Sequence, residues 1–598
     1  MARDSIFTPR MVEGLIADGQ TIVVFEDYIL RLDSWMDRHP GGSLAIQHMV
    51  GRDATDEIKV YHSTETCKKM RGFRIGRKQG SWVNMTPPIR GGIYRSYVPI
   101  AAANDASSSS GVNDSETETE ESGLDNNSLS ETSVSDCCSC GCDDDREEEE
   151  EGTSSALDAG LRRRTTTVKA LTPRAGCVSC RGCATCGGTA AAAAAADSPG
   201  PSTILKIARA GVLEEVVRDT KNYPSVDPAV QEDITLKYRA LHQRVRDEGL
   251  YRCRYAEYGK EMLRYTALFG AFLYTLSCGQ YLLSAVFLGL FWHQIMFTAH
   301  DAGHCAITQR FEADTLIGLF IADFCCGLSM GWWKSSHNVH HLITNQPEHD
   351  PDIQNLPLFA TCPSFFTSLR STYYTGFTFV WDKAADLLVP WQAYTYYPVM
   401  GIARFNLYLL SWLHVLSNRS SGLGGSKAWW IRPTEIVFML CYWFLFGYCL
   451  LLRTLPDWPT RVAFVLISHI VTMPLHVQIT LSHWGMSTVS LGESESFPQR
   501  QLRTTMDVDC PAWLDFIHGG LQFQAIHHLF PRVPRHNLRR VQSMVREFCD
   551  ETGIPYSILG FVRSNKKVIK RLQDVGDQLQ LLLDCQRHMA ETGDSGLH

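Results

Sequence analysis

Three groups of histidines stand at spacings that let their rings share one face of a helix. His300-Asp-Ala-Gly-His304, His337-Asn-Val-His340-His341 and Gln524-Ala-Ile-His527-His528 place imidazoles at i, i+3 or i+4, positions that lie above one another on an α-helix. Neutral imidazole is a ligand for iron, zinc or copper. Seven histidines exceed the need of one ion and suit two ions with open positions. A lone histidine is ordinarily a packed or interfacial side chain. Three clusters beside apolar stretches read differently, because polar side chains near a membrane are costly and tend to be functional. A further pair stands near the N-terminus: His39 opens His-Pro-Gly-Gly, and His62 follows 23 residues later. Two imidazoles can clamp a haem iron from opposite faces, which leaves no site for oxygen and favours electron transfer. The Pro-Gly-Gly turn lets the backbone approach a macrocycle closely.

The elements that must position these residues fall into two kinds. Residues 5–80 read as a small α+β unit, with β-branched and apolar residues over Thr21–Leu32, a helix over Trp35–Met49 interrupted at Pro-Gly-Gly, and a helical stretch around His62. Asp227–Gly249 has helical periodicity with many charges, and the chain from Arg535 is again charged and helical. Between them lie apolar runs near the ~20 residues that span a bilayer. Met262–Cys278 and Tyr281–Thr298 form one hairpin, and Ile436–Leu452 with Val462–His483 a second. Thr315–Trp333 and Tyr394–Leu416 are further apolar stretches.

Averages over the 598 residues conceal this division. The mean hydropathy of -0.12 describes neither part, and residues 101–200 hold 19 acidic against 7 basic side chains. The whole chain is at -8, so the remainder is mildly basic. No Lys/Arg stripe with interleaved aromatics appears, which argues against nucleic acid as a partner. Ser runs, an acidic block and an alanine tract mark 101–200 as a disordered insert. Eight of the 20 cysteines lie there. Cys177, Cys180, Cys183 and Cys186 have thiolate-ligand spacing, and Cys137, Cys138, Cys140 and Cys142 form a second knot. Neither has an apolar shell, so compositional drift is the preferred reading over zinc or iron–sulfur binding. Arg162-Arg-Arg-Thr165 reads as a solvated charge run. Met1–Gln20 has no apolar core of signal-peptide length, and the cysteines fit a reducing, cytosol-facing context.

Trp35, His39-Pro-Gly-Gly, Asp53-Ala-Thr and His62 together closely resemble cytochrome b5, which implies haem b with His39 and His62 as axial ligands. The set His-x3-His, His-x2-His-His and Gln-x2-His-His resembles the membrane fatty-acyl and sphingolipid desaturases, and Gln524 with an N-terminal cytochrome b5 marks their front-end branch. The resemblance implies an α+β haem domain (5–80) and an all-α integral membrane di-iron desaturase domain (225–565) with a helical tail (566–598). It implies two non-haem iron ions held by His300, His304, His337, His340, His341, His527 and His528, with O2 as co-substrate and a membrane lipid as substrate. Electrons would come from NADH through cytochrome b5 reductase. His483 is the best further ligand. His469 and His476 recur with it every seven residues on one helical face, and His349 and His293 are weaker candidates. Whether Gln524 binds iron directly, through water or not at all stays open.

The haem domain and the three histidine groups must share one side of the membrane, which on this resemblance is the cytosolic face of the endoplasmic reticulum. That leaves four spans, with Thr315–Trp333 and Tyr394–Leu416 in the interface or dipping back and Arg453 and Arg461 in a lumenal loop. Family members have a short linker at 101–200, so this insert departs from their pattern and should not be needed for catalysis. Thr344–Pro357 and His518–Arg532 look like fungal Δ8 sphingolipid desaturases, which act on the long-chain base of ceramide. Δ6 or Δ5 fatty-acyl desaturation, lipid hydroxylation and a purely electron-carrying haem protein are the alternatives.

Overall fold

The structure, a computed structural model, describes residues 4–97, 201–374, 376–417 and 429–592. Both cysteine groups and Arg162 lie outside the described residues. The N-terminal unit is built on a four-stranded sheet in the order β1 (Ile6–Phe7), β4 (Arg74–Lys78), β3 (Tyr28–Arg31), β2 (Ile22–Phe25). β1 runs parallel to β4 and the other pairs are antiparallel. β2 is Ile-Val-Val-Phe and entirely buried. It turns into β3 through Glu26-Asp27, where Glu26 takes φ 57°, the left-handed conformation a two-residue hairpin turn requires. The helix expected over Trp35–Met49 is two short pieces, Met36–Arg38 and Ser43–Gln47, because Gly42 at φ 86° breaks the chain direction between them. His62 caps the C-terminus of the helix Thr55–Tyr61.

The second part is helical. Tyr255–Ser277 and Tyr281–Gly303 are antiparallel and joined at Gly279, whose φ of 74° closes the first helix. Among the described residues, four helical segments are long and apolar enough to cross a membrane: Tyr281–Gly303, Lys383–Leu416, Ile431–Thr454 and Trp458–Leu481. The count agrees with the expected four, but the set differs. Tyr255–Ser277 carries Glu257, Lys260, Glu261 and Arg264 in its first half, too many charges for that standard. Its 23 residues nevertheless extend about 34 Å at 1.5 Å per residue and pack along Tyr281–Gly303. Tyr265 Oη meets Thr298 Oγ1 at 3.0 Å, and Ser284 Oγ donates to the Phe272 carbonyl at 2.9 Å. Leu263, Leu273 and Tyr274 face outward, giving this helix an apolar outer face beside its partner.

Phe311–Cys325 and Met330–Leu342 meet at a bend of 117°, so the Thr315–Trp333 stretch is not one straight spanning helix. Lys383–Leu416 is apolar enough to cross, yet both its ends are tied to segments that carry site histidines. Tyr396 Oη bonds Thr480 Oγ1 at 2.7 Å, and Ser411 Oγ accepts from the Ser329 amide at 3.0 Å. The histidine groups before and after it converge on one centre, which requires an even number of crossings between them. The pair Ile431–Thr454 and Trp458–Leu481 supplies that number. The C-terminal helix Leu538–Thr552 packs with Pro228–Asp247 around Tyr238 and Phe530, and Phe561–Thr592 lies against Val389 and Tyr396.

Candidate active site

The seven histidines of the three motifs come together, joined by His483. The ligand nitrogens of His300, His304, His337 and His527 lie within 4.8 Å of one another, as do those of His340, His483 and His528. His341 stands between the two groups. Its Nε2 is 2.9 Å from His337 Nε2, and its ring stacks on His528 with centroids 4.0 Å apart. The first group is delivered by the end of Tyr281–Gly303, by Met330–Leu342 and by Gln524–Leu529. Gly303 permits the first two helices to touch, since a Cβ there would lie 2.1 Å from Trp333 Cζ3.

A metal fits this donor set. His300 Nε2, His304 Nε2, His341 Nδ1, His483 Nδ1, His527 Nε2 and His528 Nε2 are buried without a hydrogen-bond partner, and six such nitrogens converging on one place are a cost that bound metal would relieve. The opposite ring nitrogens are oriented by second partners. Asp350 Oδ2 takes the His340 Nδ1 hydrogen at 2.8 Å, and Gln501 Oε1 takes that of His528 Nδ1 at 2.9 Å. Such partners fix the tautomer and raise ligand basicity. Burial, reinforced by the neighbouring rings, holds His337, His341, His527 and His528 well below the ordinary value and therefore neutral. His340 is the exception: burial lowers it, but the carboxylates of Asp350 and Asp352 prevail and push it up to about 9.

The other candidates separate cleanly. Gln524 is buried beside the histidines with its Oε1 unpartnered and lines the adjoining cavity. His469 is packed against Phe405, its Nδ1 bonded to the Val465 carbonyl at 2.7 Å. The expected shared face of His469, His476 and His483 is broken, because the helix ends at Ile470 and restarts at Met473. His476 bonds the Met400 carbonyl at 3.0 Å and lines the cavity. His293 contacts Phe297, and His349 pairs with Thr372 and faces His48 of the N-terminal unit. Neither joins the histidine groups. Asp350 and Gln501 are functional positions that the sequence reading missed. Asp350 lies ten residues from His340, and Gln501 is brought to His528 only by the tertiary fold.

The cavity beside the groups is about 930 Å³ and is mainly apolar, with Met296, Phe297, Leu328, Leu407 and Ile479 among its walls together with His300, His337, His340 and His483. A second cavity of about 540 Å³ lies in the N-terminal unit between His39 and His62. Their rings are 6.0 Å apart centroid to centroid, the separation that two metal–nitrogen bonds of about 2.0 Å through facing imidazoles demand. His39 Nδ1 is 2.8 Å from the Gly42 carbonyl and His62 Nδ1 is 2.9 Å from that of Ile58. Each Nε2 is thereby left as the free ligand atom. A haem fits between them, against Val23, Leu30, Leu32, Ile46 and Phe73.

The two sites are held together by packing. Val60 is buried with Ile234, Tyr238 and Phe530, while Leu342 and Ile343 enter the core of the N-terminal unit. Arg239 grips Asp56 with Nε–Oδ1 of 2.8 Å and Nη2–Oδ2 of 3.1 Å. His304 lines the second cavity while belonging to the first histidine group.

Comparison with known proteins agrees with this geometry. The family described as cytochrome b5-like heme/steroid binding domain matches residues 8–79, and the fatty acid desaturase family matches residues 278–560. The Delta 8-(E)-sphingolipid desaturase of Emericella nidulans is 45% identical over 99% of this chain and 98% of its own length. That of Candida albicans is 44% identical over 98% of each. The Delta(8)-fatty-acid desaturase of Helianthus annuus is 37% identical over 57% of this chain and 73% of its own length. The two fungal proteins match nearly end to end. A histidine-clamped cavity docked against two adjoining histidine groups, with relatives matched over almost the whole length, leaves one assignment: the chain belongs to the membrane fatty acid desaturase family, in the branch fused to a cytochrome b5-like domain.

Proposed function

We propose that the protein is an O2-dependent desaturase that places an (E) double bond at Δ8 of a sphingolipid long-chain base. It draws electrons from NADH through cytochrome b5 reductase and works in the endoplasmic reticulum with its haem domain and histidines on the cytosolic face. The observation that carries the proposal is the pair of histidine groups lining a mainly apolar cavity of about 930 Å³. The fungal relatives named Delta 8-(E)-sphingolipid desaturases support the choice of lipid.

His300, His304, His337 and His527 would hold one iron and His340, His483 and His528 the other, with His341 available to either group; His39 and His62 would hold haem b. When bound, the haem relays electrons and the two irons supply the O2-dependent removal of two hydrogens from an unactivated chain. Asp350 and Gln501 keep the His340 and His528 rings turned toward the metals. Met296, Leu328, Leu407 and Ile479 hold the hydrocarbon chain straight beside the histidines and exclude water from the reacting carbons. Gln524, whose Oε1 has no protein partner, orients a bound polar group in the same cavity.

Lipid mass spectrometry tests this in a yeast that lacks such desaturation, expressing this chain or its His528→Ala variant. The expected result is a new double bond in the long-chain bases of the first strain and none in the second. A new polyunsaturated fatty acid with unchanged bases would move the assignment to the fatty-acyl class. A gain of oxygen in place of lost hydrogen would mean hydroxylation.

A further inference from the structure

The cavity between His39 and His62 is not closed by the N-terminal unit alone. The lining from the N-terminal unit is largely apolar, and Gln309, Arg310, Phe311, Lys334, Asn338 and Arg532 of the desaturase domain complete it on one side, termed its mouth. Asn338 Nδ2 reaches the Gly41 carbonyl at 3.4 Å, and a Cβ on Gly41 would come within 2.9 Å of His39 Cε1. The helix Met330–Leu342 is thus seated on the turn that aims His39. Haem b carries two carboxylates at one edge. Those groups cannot enter the apolar wall without partners, so they face the mouth.

The mouth is furnished for them. Lys334 rests over the Phe311 ring at 5.1 Å, and Arg532 is only 7% exposed, with the side-chain amide of Gln309 as its partner. Among the described residues neither forms an ion pair with a carboxylate, which is unusual for a buried guanidinium. Lys334 lies close enough to His39, and Arg532 to His62, for each charge to act on the ring. Of the acidic side chains that also line this cavity, Glu57 is pushed up to about 7 by burial, which lessens its charge, and Glu65 and Glu312 are exposed.

We propose that Lys334 and Arg532 of the desaturase domain bind the two haem carboxylates, so that the haem sits in a composite pocket with one desaturase cation beside each axial histidine. The inference rests on the bis-histidine haem reading and adds a function to two residues outside the cytochrome fold. It makes haem binding and domain docking mutually reinforcing. It also places positive charge where an arriving electron is stabilised, which favours the reduced haem.

The test uses the full-length holoprotein in detergent, with haem release into excess apomyoglobin and the haem midpoint potential as readouts. Lys334→Gln and Arg532→Gln should each release haem about tenfold faster, as expected for one lost charge-assisted hydrogen bond, and should shift the potential downward. Lys334→Arg should stay near the parent. The same proteins reconstituted with haem dimethyl ester, which has no carboxylates, should release it at one common rate. Parent-like release from both Gln variants would overturn the proposal. So would accelerated release that persists with the dimethyl ester, because that would mark a loosened interface. A parent protein with no Soret band would instead remove the haem reading itself.

Discussion

At the scale of single residues, the site separates ligands from the groups that aim them. His528 presents Nε2 to its group because Gln501 takes its Nδ1 hydrogen, and His340 is held in the same way by Asp350. These roles have different expected consequences. His528→Ala removes a donor, so bound iron and product should both be lost while the haem absorbance, which depends on His39 and His62, stays intact. Asp350→Asn keeps the donor but weakens its orientation and basicity, so iron affinity should fall by about 10- to 100-fold, the usual cost of losing such a partner. Iron content after graded chelator treatment, read beside the Soret band, distinguishes the two. An Asp350→Asn protein that holds iron as tightly as the parent would mean that the 2.8 Å contact does not tune the site.

At the scale of elements, the site depends on how closely three helices approach. Ser329 caps Met330–Leu342 with its Oγ at 2.9 Å from the Trp332 amide, and Glu435 accepts from the Gly331 amide at 3.0 Å and from Ser329 Oγ. The helix that carries three site histidines is thereby pinned to Ile431–Trp443. Gly303 lets it approach Tyr281–Gly303. Gly303→Ala should cost about 1–3 kcal/mol through overpacking against Trp333 and Met330 and should release iron by displacing His304. Gly270→Ala, on a helical surface where the new Cβ meets nothing within 4 Å, should be neutral or slightly stabilising. Thermal unfolding with iron analysis checks both, and equal losses in the two variants would sink the close-approach argument. The histidine motifs were legible because their spacing is local, at i, i+3 and i+4. The seven-residue recurrence of His469, His476 and His483 misled because it assumed one unbroken helix. Pro474 has no N–H to offer the Ile470 carbonyl, and the break leaves His469 in an aromatic core with Trp292 and Phe446. Asp350 and Gln501 carry no comparable local signal, and long-range folding alone brings Gln501 to His528.

At the scale of the whole molecule, the haem domain is docked by a continuous core, a feature that motif reading of two separate modules does not reveal. Two histidines that face each other across this interface titrate. His48, fully buried with both ring nitrogens unpartnered, faces His349 of the desaturase domain at 5.4 Å between centroids, with Arg90 beside both. Burial, assisted by Arg90, pushes His48 well below its ordinary value of 6.5 and His349 down to about 4. When the domains part, both rings regain water and an ordinary affinity for protons, so the undocked state binds more protons below pH 6.5. Docking is therefore complete above that pH and weakens as pH falls toward 4, by on the order of 3 kcal/mol for His349 alone at the lower end. Hydrogen exchange of Thr55–Tyr61, which carries the docked Val60, should be slow at pH 7.5. At pH 5.5, after correction for intrinsic rates, it should be several-fold less protected, whereas the strand Ile22–Phe25 within the same domain should keep its protection. A His48→Leu, His349→Leu protein should lose this pH dependence and stay docked at pH 5.5. If the parent's protection is the same at both pH values, the two histidines do not govern docking, and the packed core around Val60 holds the domains together without a titrating contact.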